Sequence, residues 1–301
     1  MKTSVEKLPK STIKLTVTVP SDKVKETYSQ VLDESVKSTE LPGFRKGMAP
    51  KELVEEKADV SKLYGEVINH LLETYYPQAL KENLISPVSN PKVEIKEFDL
   101  EKEFEFVATV AIRPEVTIGE FKHKLKEFLE TRKKQRSQEN AEKLKRGEKI
   151  DDSHIHLSTN EVIEAVINSS QVEIADILIE EETDRLMSRL VDQAQSIGLS
   201  LEQYLKAQNR TAEQLRSDYS KAAEKSLKAE FLLSKLVKDE KIETTDEEVI
   251  EAYVAAGEPN PEEKLKNDVE KWYIKSVLEK NKLITKIIEE IEGEKHDHSH
   301  N

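Results

Sequence analysis

The chain has 301 residues, 36% hydrophobic and 36% charged, with a formal net charge of −13. That is too polar for one large globular core and suits helices that each bury a stripe and wet the rest, with room for two domains. The absence of cysteine excludes a disulfide framework, a thiolate nucleophile and a Cys-based metal site, and the negative balance disfavours nucleic-acid binding by the whole molecule while leaving a local basic patch open.

Met1-Lys2-Thr3-Ser4 is not followed by an apolar run, and no stretch approaches the roughly 18 apolar residues of a membrane span. The expectation is a cytoplasmic protein without signal peptide or membrane anchor. Thr12 to Val19 alternates, with Ile13, Leu15, Val17 and Val19 on one face, which predicts a half-buried strand. Pro20 ends it, and Ser21 or Asp22 can cap a helix carrying Val24, Tyr28, Val31 and Leu32 at helical spacing.

The next stretch, Leu41-Pro42-Gly43-Phe44-Arg45-Lys46-Gly47-Met48-Ala49-Pro50, is bounded by prolines that stop both flanking helices and holds two glycines that permit sharp turns. Two readings stand here. Phe44 folds back on the core in an ordinary helix–helix loop, or Phe44, Arg45 and Lys46 form an exposed tip for an acidic or RNA-rich partner with an apolar notch.

Pro50 fits the first turn of a short helix through Lys57, and a second helix runs from about Ser61 with Leu63, Val67, Leu71, Leu72 and Tyr75 along one side. Val93 and Ile95 begin a strand, and Phe104, Phe106, Ala108, Val110 and Ile112 alternate in the next, so the pair reads as a hairpin. Residues 1–118 are thus expected to form an α+β domain, a small antiparallel sheet with long helices on one face.

After the stiff connector Arg113-Pro114-Glu115-Val116 the composition shifts. Lys122 to Lys149 carries eleven cations against few acids, with Leu125, Phe128 and Leu129 giving an apolar stripe only at its start. Residues 119–157 therefore read as a basic helical arm or linker, either a solvated arm or an RNA- or partner-binding helix. His154 and His156 lie two apart with no acidic or cysteine cluster read as converging on them, so no metal site is assigned.

From Ser158 the pattern is helix after helix, with Gly198 as a C-cap and capping-box spacing at Ser200/Gln203, Thr211/Gln214 and Thr245/Glu248. Residues 158–292 are expected to be an extended all-α domain with shallow apolar grooves. The tail, 293–301, reads as disordered; His296, His298 and His300 alternate in it, a spacing a short tail carries without a metal role.

Chemistry is scarce. The eight glycines form no phosphate loop, and Gly-x-Ser-x-Gly and His-Glu-x-x-His do not occur. The acidic pairs fall on solvated helical faces. No cofactor and no catalytic residue is assigned, and binding remains as the role.

Gly43-Phe44-Arg45-Lys46-Gly47-Met48-Ala49-Pro50 completes a Gly-Phe-Arg-x-Gly-x-x-Pro pattern in a strand–helix–loop–helix–hairpin setting. It resembles the signature of the trigger factor family of ribosome-associated chaperones, and the later helices resemble that family's substrate-binding body. The resemblance implies that Phe44, Arg45 and Lys46 contact ribosomal protein and RNA beside the nascent-chain exit of the large subunit, with Gly43 and Gly47 shaping the turn. It implies weak apolar contacts to nascent or unfolded chains from a pool including Leu186, Leu190, Phe231, Leu232, Trp272 and Tyr273.

Family members usually carry, between connector and helical body, a prolyl-isomerase domain of the FK506-binding type, which needs about a hundred residues rich in strands. Only Phe121 to Leu157 lies there, so the expectation is a non-enzymatic member. Two further readings stay open: a ribosome-independent holdase or assembly chaperone in which the loop is idle, and an RNA-binding ribosome-assembly factor using Lys122–Lys149. A homodimer of the free form, covering its grooves, is also open.

Overall fold

The computed structural model describes residues 1–40, 44–48, 50–57, 59–150 and 153–293. The chain divides into two compact units. One is Met1–Pro114 together with Ala175–Asp184; the other is Glu115–Ile174 together with the chain from Arg185 onward.

The first unit is built on a four-stranded antiparallel sheet of order β1-β2-β4-β3, from Lys2–Leu8, Thr12–Val19, Phe104–Ala111 and Lys92–Ile95. In the central pair, Ile13 faces Val110, Leu15 faces Ala108, Val17 faces Phe106 and Val19 faces Phe104. Period-two alternation puts all eight on one side of the sheet, where the helices α1 (Ser21–Ser38) and α3 (Val60–Glu82) cover Leu15, Val17, Val19, Phe104, Phe106 and Ala108 with Val24, Val31, Leu63, Val67 and Leu71. Edge-on ring contacts run Tyr28–Tyr64–Phe98–Phe104 into that core. The strand β1 pairs with β2 along its whole length although its sequence shows no alternation. The short helix α2, Lys51–Lys57, packs on α1 and buries Val54.

The second unit is helical apart from one two-residue pairing, β5 (Val116–Thr117) with β6 (Gln171–Val172). Its helices are α4 (Phe121–Lys145), α5 (Thr159–Ser169), the later part of α6 (Asp176–Ser196), α7 (Leu201–Ala207), α8 (Ala212–Asp239), α9 (Asp246–Ala255), α10 (Pro261–Lys264) and α11 (Asp268–Glu292). All three capping boxes read from sequence form, and Ser158 with Glu161 makes a fourth at the start of α5. Gly198 takes φ +77 just beyond α6, as a C-cap glycine does.

The core of this unit joins Phe121, Leu125 and Leu129 of α4 to Val162 and Val166 of α5, Leu232 and Leu236 of α8, and Leu283, Ile287 and Ile291 of α11. The first part of the basic segment is therefore built into the helical body and is no free linker. Ion pairs stitch the rims: Lys122 to Glu290 at 2.7 Å, Lys286 to Glu240 at 2.7 Å, and Lys271 and Lys275 to Asp246 at 2.6 and 2.8 Å.

Candidate functional site

Between α1 and α2 the described residues are 39–40, 44–48 and 50. α1 ends at Ser38, and the Thr39 N–H bonds to the Ser35 carbonyl. Beyond it the Met48 N–H donates to the Arg45 carbonyl at 2.9 Å, closing a four-residue turn with Gly47, at φ +80, in its third position. A positive φ there is the type II arrangement, which favours glycine. A Cβ on Gly47 would meet the Lys37 carbonyl at an ordinary 3.5 Å, so the backbone angle, not crowding, requires glycine.

This turn displays a side-chain triplet. Phe44 is 41% exposed, Met48 72%, and Arg45 and Lys46 are exposed with no ion-pair partner among the described residues. Phe44 is thus not folded into the core. Gly43, like Leu41, Pro42 and Ala49, lies outside the described residues.

The base of the loop is fastened. The Tyr28 hydroxyl of α1 makes a short hydrogen bond to the Glu55 carboxylate of α2, and Lys51 pairs with Asp33. Partial burial, then the Glu55 hydrogen bond and charge, hold the Tyr28 phenol well above its usual range, so it stays a donor at neutral pH. These two contacts join the helices that flank the loop.

In the helical unit, the residues read from sequence as a client-binding pool divide. Leu190 and Leu232 are buried, Leu186 and Phe231 half-buried, while Trp272 and Tyr273 are 68% and 60% exposed. The reason lies in one stripe along α11. Val269, Tyr273, Val277, Lys280, Ile284, Ile287 and Ile291 follow at intervals of three and four, which keeps them on one face. From Leu283 onward that face is buried against α4, α5 and α8. In the first half of the helix the same face is bare: Val269 is 75% exposed and Val277 36%, with Trp272 alongside. Val269 and Val277 fit the helical periodicity of α11, but nothing in that periodicity shows that the two are exposed.

His156 Nδ1 lies 3.0 Å from the Glu292 carboxylate, which also accepts from the Leu157 N–H at 2.6 Å. This contact fastens the end of α11 to the segment before α5. Among the described residues no cluster of three or more His, Cys, Asp or Glu is placed to hold a metal, and no helix is long and apolar enough to cross a membrane. His296, His298 and His300 lie outside the described residues.

Two family models match. One, described as bacterial trigger factor protein, matches residues 1–146; the other, described as its C-terminus, matches residues 117–289. They overlap on α4, so no interval separates them in which a further domain could lie. The trigger factor of Desulforamulus reducens is 37% identical over 122 residues, covering 40% of this chain and 28% of that protein. The trigger factor of Staphylococcus epidermidis is 38% identical over 162 residues, covering 53% of this chain and 36% of that protein. The matched stretches thus span about a third of the length of these curated relatives. A solved structure described as "Promiscuous Substrate Recognition in Folding and Assembly Activities of the Trigger Factor Chaperone" superposes with a TM-score of 0.62 at 14% identity, over 96% of this chain and all of that one. At that identity the likeness shows the fold alone.

Proposed function

Because the chain belongs to the bacterial trigger factor family, we propose that it is a ribosome-docking chaperone that holds nascent or unfolded polypeptides by weak apolar contacts and does not isomerise prolyl bonds. The observation that carries docking is the solvent-facing Phe44-Arg45-Lys46 triplet, on a Gly47 turn between two helices that are themselves cross-linked. An exposed ring beside two unpaired cations suits a partner that offers both an apolar notch and negative charge, as a surface of protein and RNA does. Ribosome co-sedimentation of the wild type against the triple alanine variant of this loop tests it, with outcomes argued in the Discussion.

Client holding is carried by the bare face at the start of α11. Each side chain that a client covers there contributes only about 1.5–3 kcal/mol, which suits repeated capture and release. Replacing Val269, Trp272 and Tyr273 together with serine is expected to reduce suppression of a model client's aggregation several-fold. The melting temperature should stay close to wild type, because none of the three is buried. Undiminished suppression would remove this face from the reading.

The isomerase reading is tested with a fluorogenic Xaa-Pro peptide. The expected outcome is the uncatalysed rate, set by a barrier of about 18–20 kcal/mol. A clear acceleration would overturn the assignment as a non-enzymatic member.

A further inference from the structure

The basic helix α4 has two halves. Phe121, Leu125 and Leu129 sit at i, i+4 and i+8 and bury the first half in the helical core. Beyond Leu129 no residue of α4 is buried, and that same face continues as Arg132, Arg136 and Lys143. Arg132 pairs with Glu161 of α5 at 2.8 Å and Arg136 donates to Ser153, so these two arginines tie the helix to the first turn of α5 and to the segment before it.

The outward side is different. Lys126, Lys134 and Lys145 are exposed and have no partner among the described residues. Along the axis they are spaced by about 12 and about 16 Å at the helical rise of 1.5 Å per residue. Between Lys122 and Lys149 there are eleven cations against five acids, in a chain whose total is −13. The local charge therefore opposes the sign of the molecule.

We propose that the outward side of α4 binds the phosphate backbone of double-stranded RNA, as a contact separate from the loop. The phosphate chemistry follows from unpaired ammonium groups strung along a rigid rod. A lipid surface fits poorly, since a surface-lying helix segregates its cations from a broad apolar face, whereas here cations occur all round the helix and Phe128 and Leu144 are its only exposed large apolar residues. Stacking on single-stranded bases also fits poorly. Phe128 is the one aromatic on the exposed part, and the Arg132 guanidinium stands 5.4 Å from its ring centre. Phosphate contacts to a duplex need no aromatic. The choice of RNA over DNA rests on the ribosome-docking reading; the binding itself does not.

The test is fluorescence anisotropy of a fluorescein-labelled RNA duplex of about 20 base pairs, longer than the roughly 16 that a duplex-binding domain spans. The full chain is titrated at salt between about 50 and 200 mM, where non-specific phosphate binding of about micromolar strength is measurable. Lys126→Gln/Lys134→Gln/Lys145→Gln is compared with Lys206→Gln/Lys221→Gln/Lys238→Gln, an equal charge change at exposed lysines of α7 and α8. The first variant is expected to bind at least about tenfold more weakly at the lowest salt, with the log–log salt slope reduced by about 2–3. The second should match the wild type, and far-UV circular dichroism should be unchanged for both.

Equal losses in the two variants would trace binding to overall charge and overturn the proposal, as would no wild-type binding at the lowest salt. A DNA duplex, or vesicles containing phosphatidylglycerol, bound more tightly than the RNA would overturn the choice of occupant. The loop variant separates the two readings. Its duplex binding should equal that of the wild type even when its ribosome co-sedimentation is lost, and failure of either measurement leaves the other standing.

Discussion

Changing Phe44, Arg45 and Lys46 together to alanine is expected to remove the chain from the ribosomal pellet at moderate salt, while its thermal unfolding stays that of the wild type. The size of the effect follows from what the triplet offers. Covering an exposed aromatic in a partner's pocket, with a paired Arg beside it, concentrates binding energy in few side chains. Loss of all three costs about 3 kcal/mol or more, which is about two decades in affinity. The charged share of that energy is screened, so residual binding of a Phe44-only variant and of an Arg45/Lys46 variant should respond differently to added salt. Stability should not move, because the three side chains are exposed and the supports of the loop, Tyr28 to Glu55 and Lys51 to Asp33, are untouched. Full retention in the pellet would leave the loop without the role proposed for it.

The sequence discloses what repeats along it and hides what depends on distant partners. Strands β2 and β4 were legible because Ile13 to Val19 and Phe104 to Val110 alternate on a half-buried surface. Strand β1 was not. Its residues Lys2 to Leu8 lie at the sheet edge, where little is buried to impose a pattern, and backbone pairing with β2 holds it there. In α4 the stripe read from Leu125, Phe128 and Leu129 is right for the two leucines, but the third buried member is Phe121 and Phe128 is 44% exposed, so a segment that looks like a linker supplies part of a core. The turn geometry at Gly47 could be anticipated from glycine between a cation and the following proline-bounded stretch. The exposure of Phe44 could not, since an aromatic in a loop packs inward or outward according to neighbours the sequence does not place. The client pool shows the same limit: Leu190 and Leu232 are buried, Leu232 in the core it forms with residues of α4, α5 and α11, while Trp272 and Tyr273 are exposed, and the spacing of apolar residues within each helix does not separate the two cases.

Gly119 is the sharpest case of a residue whose constraint is invisible locally, and its substitution should have the largest effect on stability. It follows β5 and precedes α4, with its N–H donating to the Ser170 hydroxyl at 3.3 Å. A Cβ built on it would lie 1.7 Å from the Ser169 carbonyl oxygen and 2.8 Å from the carbonyl carbon. Both clashing atoms are backbone, so no rotamer change relieves them. Gly119→Ala must push the end of α5 away from the start of α4, breaking the Ser170 bond and straining the β5–β6 pairing that closes this corner. Overpacking against main chain of this kind costs about 3 kcal/mol or more. For a helical unit of this size that lowers the melting temperature by about 6–12 °C, read by calorimetry. Ser169→Ala would not relieve the clash, because the contact is with the carbonyl. An unchanged transition would mean that the corner opens at little cost and that the core formed by Phe121, Leu125 and Leu129 does not depend on it. Because the loop belongs to the other unit, the variant kept below its own transition should still co-sediment with ribosomes. Loss of client holding on warming past the variant's transition, with docking retained, would locate the two proposed activities in separate units of one chain.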